Sequence, residues 1–204
     1  MRLAPRFARF VTQVVVRVPW LWRVFRPALS ATFDRLAPTW DTRSVDQIRL
    51  GAIMLAFDAV EPPPRTVLDL GTGTGSVARH TAERWPEAEI TGADVSPGMV
   101  EEARRRATGE RQRYDVADAS RLPYPDAAFE LVALNNMIPF FDELARVTAP
   151  GGRVAIAFSR GPDTPIWVPL DRVRAELERR NFAHITTFSN GPGQSLLAVK
   201  GDRA

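Results

Sequence analysis

Val67-Leu68-Asp69-Leu70-Gly71-Thr72-Gly73-Thr74-Gly75 is the stretch on which the fold turns. A short apolar strand that contains an acid runs into three glycines spaced two apart, and a helical pattern follows over 74–85. Glycine lets the backbone turn tightly and lets a ligand approach closely. The helix start beyond it offers free N–H groups. These suit the carboxylate of a small zwitterion or the phosphates of a dinucleotide. Outward from this loop the chain alternates. Strands are expected at 66–70, 89–93, 113–116, 129–134 and 153–158, with helices at 45–60, 97–108, 141–148 and 169–180. Glu61-Pro62-Pro63-Pro64 stops the helix before the first strand, and Pro150-Gly151-Gly152 closes the one at 141–148. Such alternation implies a doubly wound, mostly parallel sheet with helices on both faces. Two closing strands, 184–189 and 195–199, follow each other across Asn190-Gly191-Pro192-Gly193 with no helix between. Parallel neighbours need a long crossover and antiparallel ones do not, so the sheet should end in an antiparallel strand.

Two further acids extend the pattern. Asp94 lies nineteen residues beyond Gly75, at the end of the second strand, and Asp118 follows the third. A carboxylate at the first position can accept both hydroxyl hydrogens of a ribose, and one at the second can accept an amino hydrogen from an adenine edge, with the Ala119 N–H as donor. Asp69, just ahead of the glycines, suits an ammonium group. Three acids at successive strand ends converge on the edge where open α/β sheets bind ligands. The frame Gly73-x-Gly75-x-x-Ala78 also fits the dinucleotide fingerprint, so an NAD(P)-dependent oxidoreductase is the competing enzyme reading. Against it, a carboxylate before the loop is unhelpful to a pyrophosphate, and an antiparallel closing hairpin departs from the usual dinucleotide-binding order.

Composition removes other chemistries. The 204 residues include no Cys, which excludes disulfides, thiolate metal sites and cysteine nucleophiles, and only two His, His80 and His184, so no metal site is expected. No run of about 18 apolar residues exists to span a bilayer. The net charge of +3 is unevenly placed: residues 1–30 hold six Arg and no acid, which leaves −3 on the remaining 174. Residues 5–25 show helical periodicity, with Phe7, Phe10, Val11, Val14, Val18, Leu21, Trp22 and Phe25 in one arc and Arg6, Arg9, Arg17, Arg23 and Arg26 opposite. Pro5 suits a helix start, Pro19 should kink or divide the helix and Pro27 should start another short one. Such an arm packs on the body, lies on an anionic membrane through residues 5–26, or serves as a targeting segment. The expected organisation is an arm at 1–44 and a ligand-binding domain at 45–204.

The stretch from about 66 to 160 resembles the class I S-adenosylmethionine-dependent methyltransferases, especially the type 11 branch. The resemblance runs through VLDLGTGTG, ITGADVSPGMVEEAR, DVADASRLPYPDAAFELV and ARVTAPGGRVAIA. It implies a Rossmann-like seven-stranded sheet with an antiparallel seventh strand and S-adenosylmethionine as cosubstrate. By resemblance, Gly71, Gly73 and Gly75 line the methionine portion and Asp69 lies near its amino group. Asp94 takes the ribose, Val95 and Met99 the adenine face, Asp118 and Ala119 the adenine edge, and Asn135 sits below the sulfonium. Phe33-Asp34-Arg35-Leu36-Ala37-Pro38-Thr39-Trp40-Asp41 is similar to the segment that precedes the domain in ubiquinone and menaquinone methyltransferases, with Trp40 where an aromatic residue precedes Asp. Asn135-Asn136-Met137-Ile138-Pro139-Phe140-Phe141 departs from those enzymes in lacking their usual His pair. The acceptor expected is a small, hydrophobic or lipid-like molecule, and the setting cytoplasmic, at the inner face of a membrane. Nucleic acid is not expected as a partner: basic excess is confined to the arm, and no Asn/Asp-Pro-Pro-aromatic run follows the fourth strand. Base candidates are Asp41, Tyr124 and His184, with no catalytic residue assigned. A membrane-associated binding module of the same fold without turnover is the alternative from another class. Oligomeric state is not legible.

Overall fold

The computed structural model describes residues 3–41 and 46–202. At the centre β1 (Thr66–Leu70) runs parallel to β2 (Glu89–Asp94) on one side and β4 (Phe129–Asn135) on the other. β3 (Gln112–Val116) adds beyond β2, and β5 (Thr148–Phe158) beyond β4. The last two strands, β6 (Phe182–Asn190) and β7 (Gly193–Lys200), complete the order β3-β2-β1-β4-β5-β7-β6. The antiparallel strand is therefore β7, one place in from the edge, and it pairs with both β5 and β6. The crossover through α7 (Leu170–Glu178) sets β6 down two strand positions beyond β5, leaving a gap one strand wide. The tight return at 190–193, with Gly191 at φ +56, then fills the gap.

Strand side chains alternate between two cores, as a period of two requires. Leu68, Leu70, Val132, Leu134, Val154 and Ile156 face one, with Leu144 of α6 (Phe141–Val147) and Val173 and Leu177 of α7. Val67, Leu131, Ala133 and Ala155 face the other, with Ile53 and Phe57 of α3 (Asp46–Asp58), Val77 of α4 (Ser76–Arg84) and Val100 of α5 (Pro97–Arg105). Both faces being covered explains why the central strands read as continuous apolar runs.

The arm joins the first core. It comprises α1 (Leu3–Arg17), a short 3-10 turn at Pro19–Leu21 and α2 (Trp22–Leu36). Pro19 divides the helices, as expected. Pro27 does not start one: α2 passes through it. Pro27 is the sixth residue of α2, past its first turn, so it costs the helix one hydrogen bond to the Arg23 carbonyl, and the burial of Trp22 and Leu29 on either side holds the helix on the body. Val11, Thr12 and Val15 are buried, whereas Phe7 and Phe10 of the expected apolar arc are not. The inward stripe of α1 is thus rotated toward Thr12 and Val15. The expected boundary between residues 44 and 45 lies outside the described residues. Among the described residues no helix is long and apolar enough to cross a membrane.

Candidate active site

The turn after β1 is built by the residues that sequence singles out. Gly71 has φ +74, and a Cβ there would come within 2.7 Å of Met137 Cγ. The Gly71 and Thr72 N–H groups donate to the Ala93 carbonyl at 2.8 and 3.0 Å, which ties the turn to the end of β2. Gly75, at φ +82, precedes α4 and packs against Tyr114 and Ala103. Asp69 is enclosed beneath the turn. It accepts from Thr72 Oγ1 at 2.6 Å and from the Ala78 N–H at 3.0 Å. Burial pushes its carboxyl up to about 7, against the pull of those two hydrogen bonds.

A cavity of about 490 Å³ opens at the carboxyl ends of the strands. Of the expected site residues, Gly71, Gly73, Asp94, Val95, Met99, Ala119 and Asn135 border it, while Asp69, Gly75 and Asp118 do not. Asp94 Oδ2 accepts from the Gly73 N–H at 2.9 Å and Oδ1 from the Ser96 N–H at 2.9 Å. A carboxylate offers about four acceptor sites, so with the Ser96, Gly73 and Val95 N–H groups engaged it still has room for one further donor. Burial raises the Asp94 carboxyl above its ordinary range, opposed by the Ser96, Gly73 and Val95 N–H groups. The loops after β4 and β5 add Ile138, Phe140, Thr164, Pro165, Ile166 and Arg160 to its lining. Asn136, at φ +57, lies in the first of these loops. Its amide donates to Ser159 Oγ at 3.0 Å and accepts from the Ser159 N–H at 2.8 Å, which locks the loop after β4 to the loop after β5.

The arm roofs the cavity with Phe7, Trp22, Leu29 and Phe33, joined by Trp40 just after α2. Its polar groups are anchored to the loops beneath. Ser30 Oγ donates to the Val95 carbonyl at 3.1 Å, and Asp34 Oδ1 accepts from Ser96 Oγ at 2.5 Å and from the Gly98 N–H at 3.0 Å. Asp118 is engaged in the same way. Oδ1 accepts from Trp22 Nε1 at 2.7 Å and from the Ser120 N–H and hydroxyl, and Oδ2 accepts from Arg26 at 2.7 Å. Partial burial would raise this carboxyl, but the bonds from Ser120, Trp22 and Arg26 outweigh it and hold it below the ordinary range. A side chain expected at a nucleoside edge is therefore turned to the arm. Trp22 and Asp34 were the signals missed. The helical stripe contained Trp22, but nothing local in sequence shows which loop it meets.

None of the three base candidates borders the cavity. Asp41 accepts from Thr74 Oγ1 at 2.8 Å and pairs with Arg106. Tyr124 donates its hydroxyl to Asp115 at 3.0 Å, and burial together with the Asp115 carboxylate drives the phenol far above its ordinary range. His184 is exposed on β6, with φ +48. Among the described residues no cluster of three or more His, Asp or Glu is arranged to hold a metal ion.

A family described as a methyltransferase domain matches residues 67–152. A malonyl-[acyl-carrier protein] O-methyltransferase from Halorhodospira halophila is 38% identical over 148 residues, which cover 68% of this chain and 50% of that protein. A demethylmenaquinone methyltransferase from Thermus thermophilus is 44% identical over 107 residues, 48% of this chain and 49% of that one. The chain thus spans about half the length of these curated relatives. Among solved structures, a SAM dependent methyltransferase from Aquifex aeolicus superposes with a TM-score of 0.66 at 17% identity, covering 83% of this chain and 97% of that one. The matched segment begins inside β1 and ends inside β5, and over it the chain is similar to the class I S-adenosylmethionine-dependent methyltransferases.

Proposed function

We propose that the protein transfers a methyl group from S-adenosylmethionine to a small acceptor with an apolar body. The observation that carries this reading is one continuous cavity that joins the glycine turn and Asp94 to an apolar lining under the arm. The residues present fit the donor. Gly71 and Gly73 leave the backbone bare for its methionine portion, Asp94 keeps acceptor capacity for a ribose hydroxyl, and Val95 and Met99 offer an apolar wall to adenine. Asn135 and Ala119 complete the wall beside the methionine and adenine ends, with Gly75 starting α4 behind the turn and Asp69 bracing it from below. S-adenosylmethionine brings a methyl already activated by its sulfonium. What remains for the chain is to align the acceptor and exclude water. The arm does the second by roofing the cavity. Phe33, Trp40, Ile138 and Ile166 suit an apolar acceptor, and Arg160 is the one cationic side chain among the described residues that border the cavity. The reading extends to a cytoplasmic setting at the inner face of a membrane, supported by the basic and aromatic outer side of the arm. Calorimetric titration with S-adenosylmethionine and with its demethylated product tests the donor assignment. Saturable binding of both is expected, and silence from both would refute it.

A further inference from the structure

Four of the five large hydrophobic side chains that the described residues leave exposed lie on the arm: Phe7, Phe10, Trp20 and Val24, at 43, 57, 68 and 64%. Five such groups would be unremarkable if scattered. Four within eighteen residues concentrate exposed apolar surface on the arm, which calls for a partner. This surface is also positively charged. Arg6, Arg17 and Arg23 are exposed, and no acid occurs before Asp34. At about 100° per residue, Arg6, Phe10 and Arg17 share one arc of α1, opposite the buried Val11 and Val15. The two helices are joined at this outer side, with Phe25 in edge contact with Phe7 and Phe10 at 6.3 and 6.4 Å between ring centroids. The arm therefore has two working sides. One is spent on the body, and the other combines arginines with aromatic rings and no compensating acid.

We infer that this outer side docks on the surface of an anionic phospholipid bilayer, with the acceptor reaching the cavity from that bilayer. Arginine is attracted to anionic headgroups, and Phe and Trp enter the boundary between headgroup and acyl chain. A soluble protein partner would need acidic groups to match the arginines and pockets to match four separate apolar side chains. A fluid anionic interface supplies both without a fixed geometry. Phe7 belongs to both surfaces: it is exposed on the arm and borders the cavity, as does Ala8 beside it. The apolar lining of the cavity thus lies directly beneath the docking side, where a lipid-like molecule can pass from bilayer to cavity without crossing water. The docking claim stands on the arm alone, and the acceptor route rests on the methyl-transfer reading.

The test is co-sedimentation of the full chain with vesicles of phosphatidylglycerol and phosphatidylcholine, against phosphatidylcholine alone. Binding to the anionic vesicles is expected, with about tenfold or greater loss in Arg6→Glu/Arg17→Glu/Arg23→Glu and a comparable loss in Phe10→Ser/Trp20→Ser. A lipid brominated near the headgroup should quench the wild type more than Trp20→Phe. Calorimetric binding of S-adenosylmethionine should be the same in these variants as in the wild type, so a failure of docking is distinguishable from a failure of the donor assignment. A chain that stays in the supernatant with anionic vesicles overturns the proposal. So does full binding by Phe10→Ser/Trp20→Ser, which would reduce the docking to counterion attraction. Retention on RNA that equals retention on anionic vesicles and ignores Phe10 and Trp20 overturns it as well.

Discussion

Asp94 does two things with one carboxylate. It fixes the Gly73 and Ser96 N–H groups, and it borders the cavity with acceptor capacity for a further donor. Asp94→Ala should therefore weaken S-adenosylmethionine by about 1–3 kcal/mol in calorimetry, the range for polar groups left without their hydrogen-bond partner. Unchanged affinity would remove the ribose assignment. Gly71 carries a different constraint. At φ +74, and 2.7 Å from Met137 Cγ for an added Cβ, Gly71→Ala meets backbone strain even if the Met137 side chain moves aside. A loss of about 1–3 kcal/mol in stability or donor affinity is expected, read by thermal melting and titration. Asp69 gives a pH signature. Its folded carboxyl titrates near 7 and its unfolded one near 3.8. Between those values the folded state holds the proton that the unfolded state has released, so this group's contribution to stability falls as pH rises from about 4 to about 7. Asp69→Asn, which keeps an oxygen for Thr72 and Ala78, should flatten that slope in urea titrations across the interval. An unaltered slope would show that burial does not hold the proton on Asp69.

At the scale of elements, α2 is held over the cavity through Asp118, Ser96 and Gly98. The Trp22–Asp118 bond is a hydrogen bond to a charged, half-buried acceptor, worth about 1.5–3 kcal/mol. The Arg26 pair is more exposed and contributes less. Trp22→Phe should therefore raise the population in which the arm is lifted by about tenfold or more, visible as faster tryptic cleavage at Arg17 and Arg23. Arg26→Ala should show a smaller acceleration. Because the Asp118 carboxyl is held below its ordinary range, the latch is complete above about 3.8 and weakens as pH falls through the lowered value. Equal cleavage rates in the three proteins would dissociate the arm from Asp118. The strands, the helices and the glycine turn were legible in sequence because each rests on local periodicity and on the spacing of Gly71, Gly73 and Gly75. The tie between Asn136 and Ser159 was not legible, since its partners are 23 residues apart and belong to loops without a pattern. Asp118 was legible as an acid at a strand end, but its partners on the arm lie 96 and 92 residues away.

For the whole molecule, the division into an arm at 1–44 and a domain at 45–204, which we propose as the topological one, is not a division of stability. Val11, Val15, Trp22 and Leu29 belong to the same core as β1, β4, β5, α6 and α7. Burial of each apolar side chain of this kind contributes about 1.5–3 kcal/mol. Even discounted for a compact unfolded state, the four together rival the roughly 5–15 kcal/mol that holds a domain folded. The aromatic contact of Trp22 with Phe140, 5.5 Å between centroids, lies within this shared core. The full chain should accordingly unfold in a single calorimetric transition whose van't Hoff and calorimetric enthalpies agree. A chain begun at residue 45 should lose that transition or melt more than about 10 °C lower, and should bind a hydrophobic dye through the uncovered Ile138 and Phe140. Two separate transitions in the full chain, or an unchanged melting point in the shortened one, would show that the arm is an appendage. In that case its roof over the cavity could open without cost to the fold.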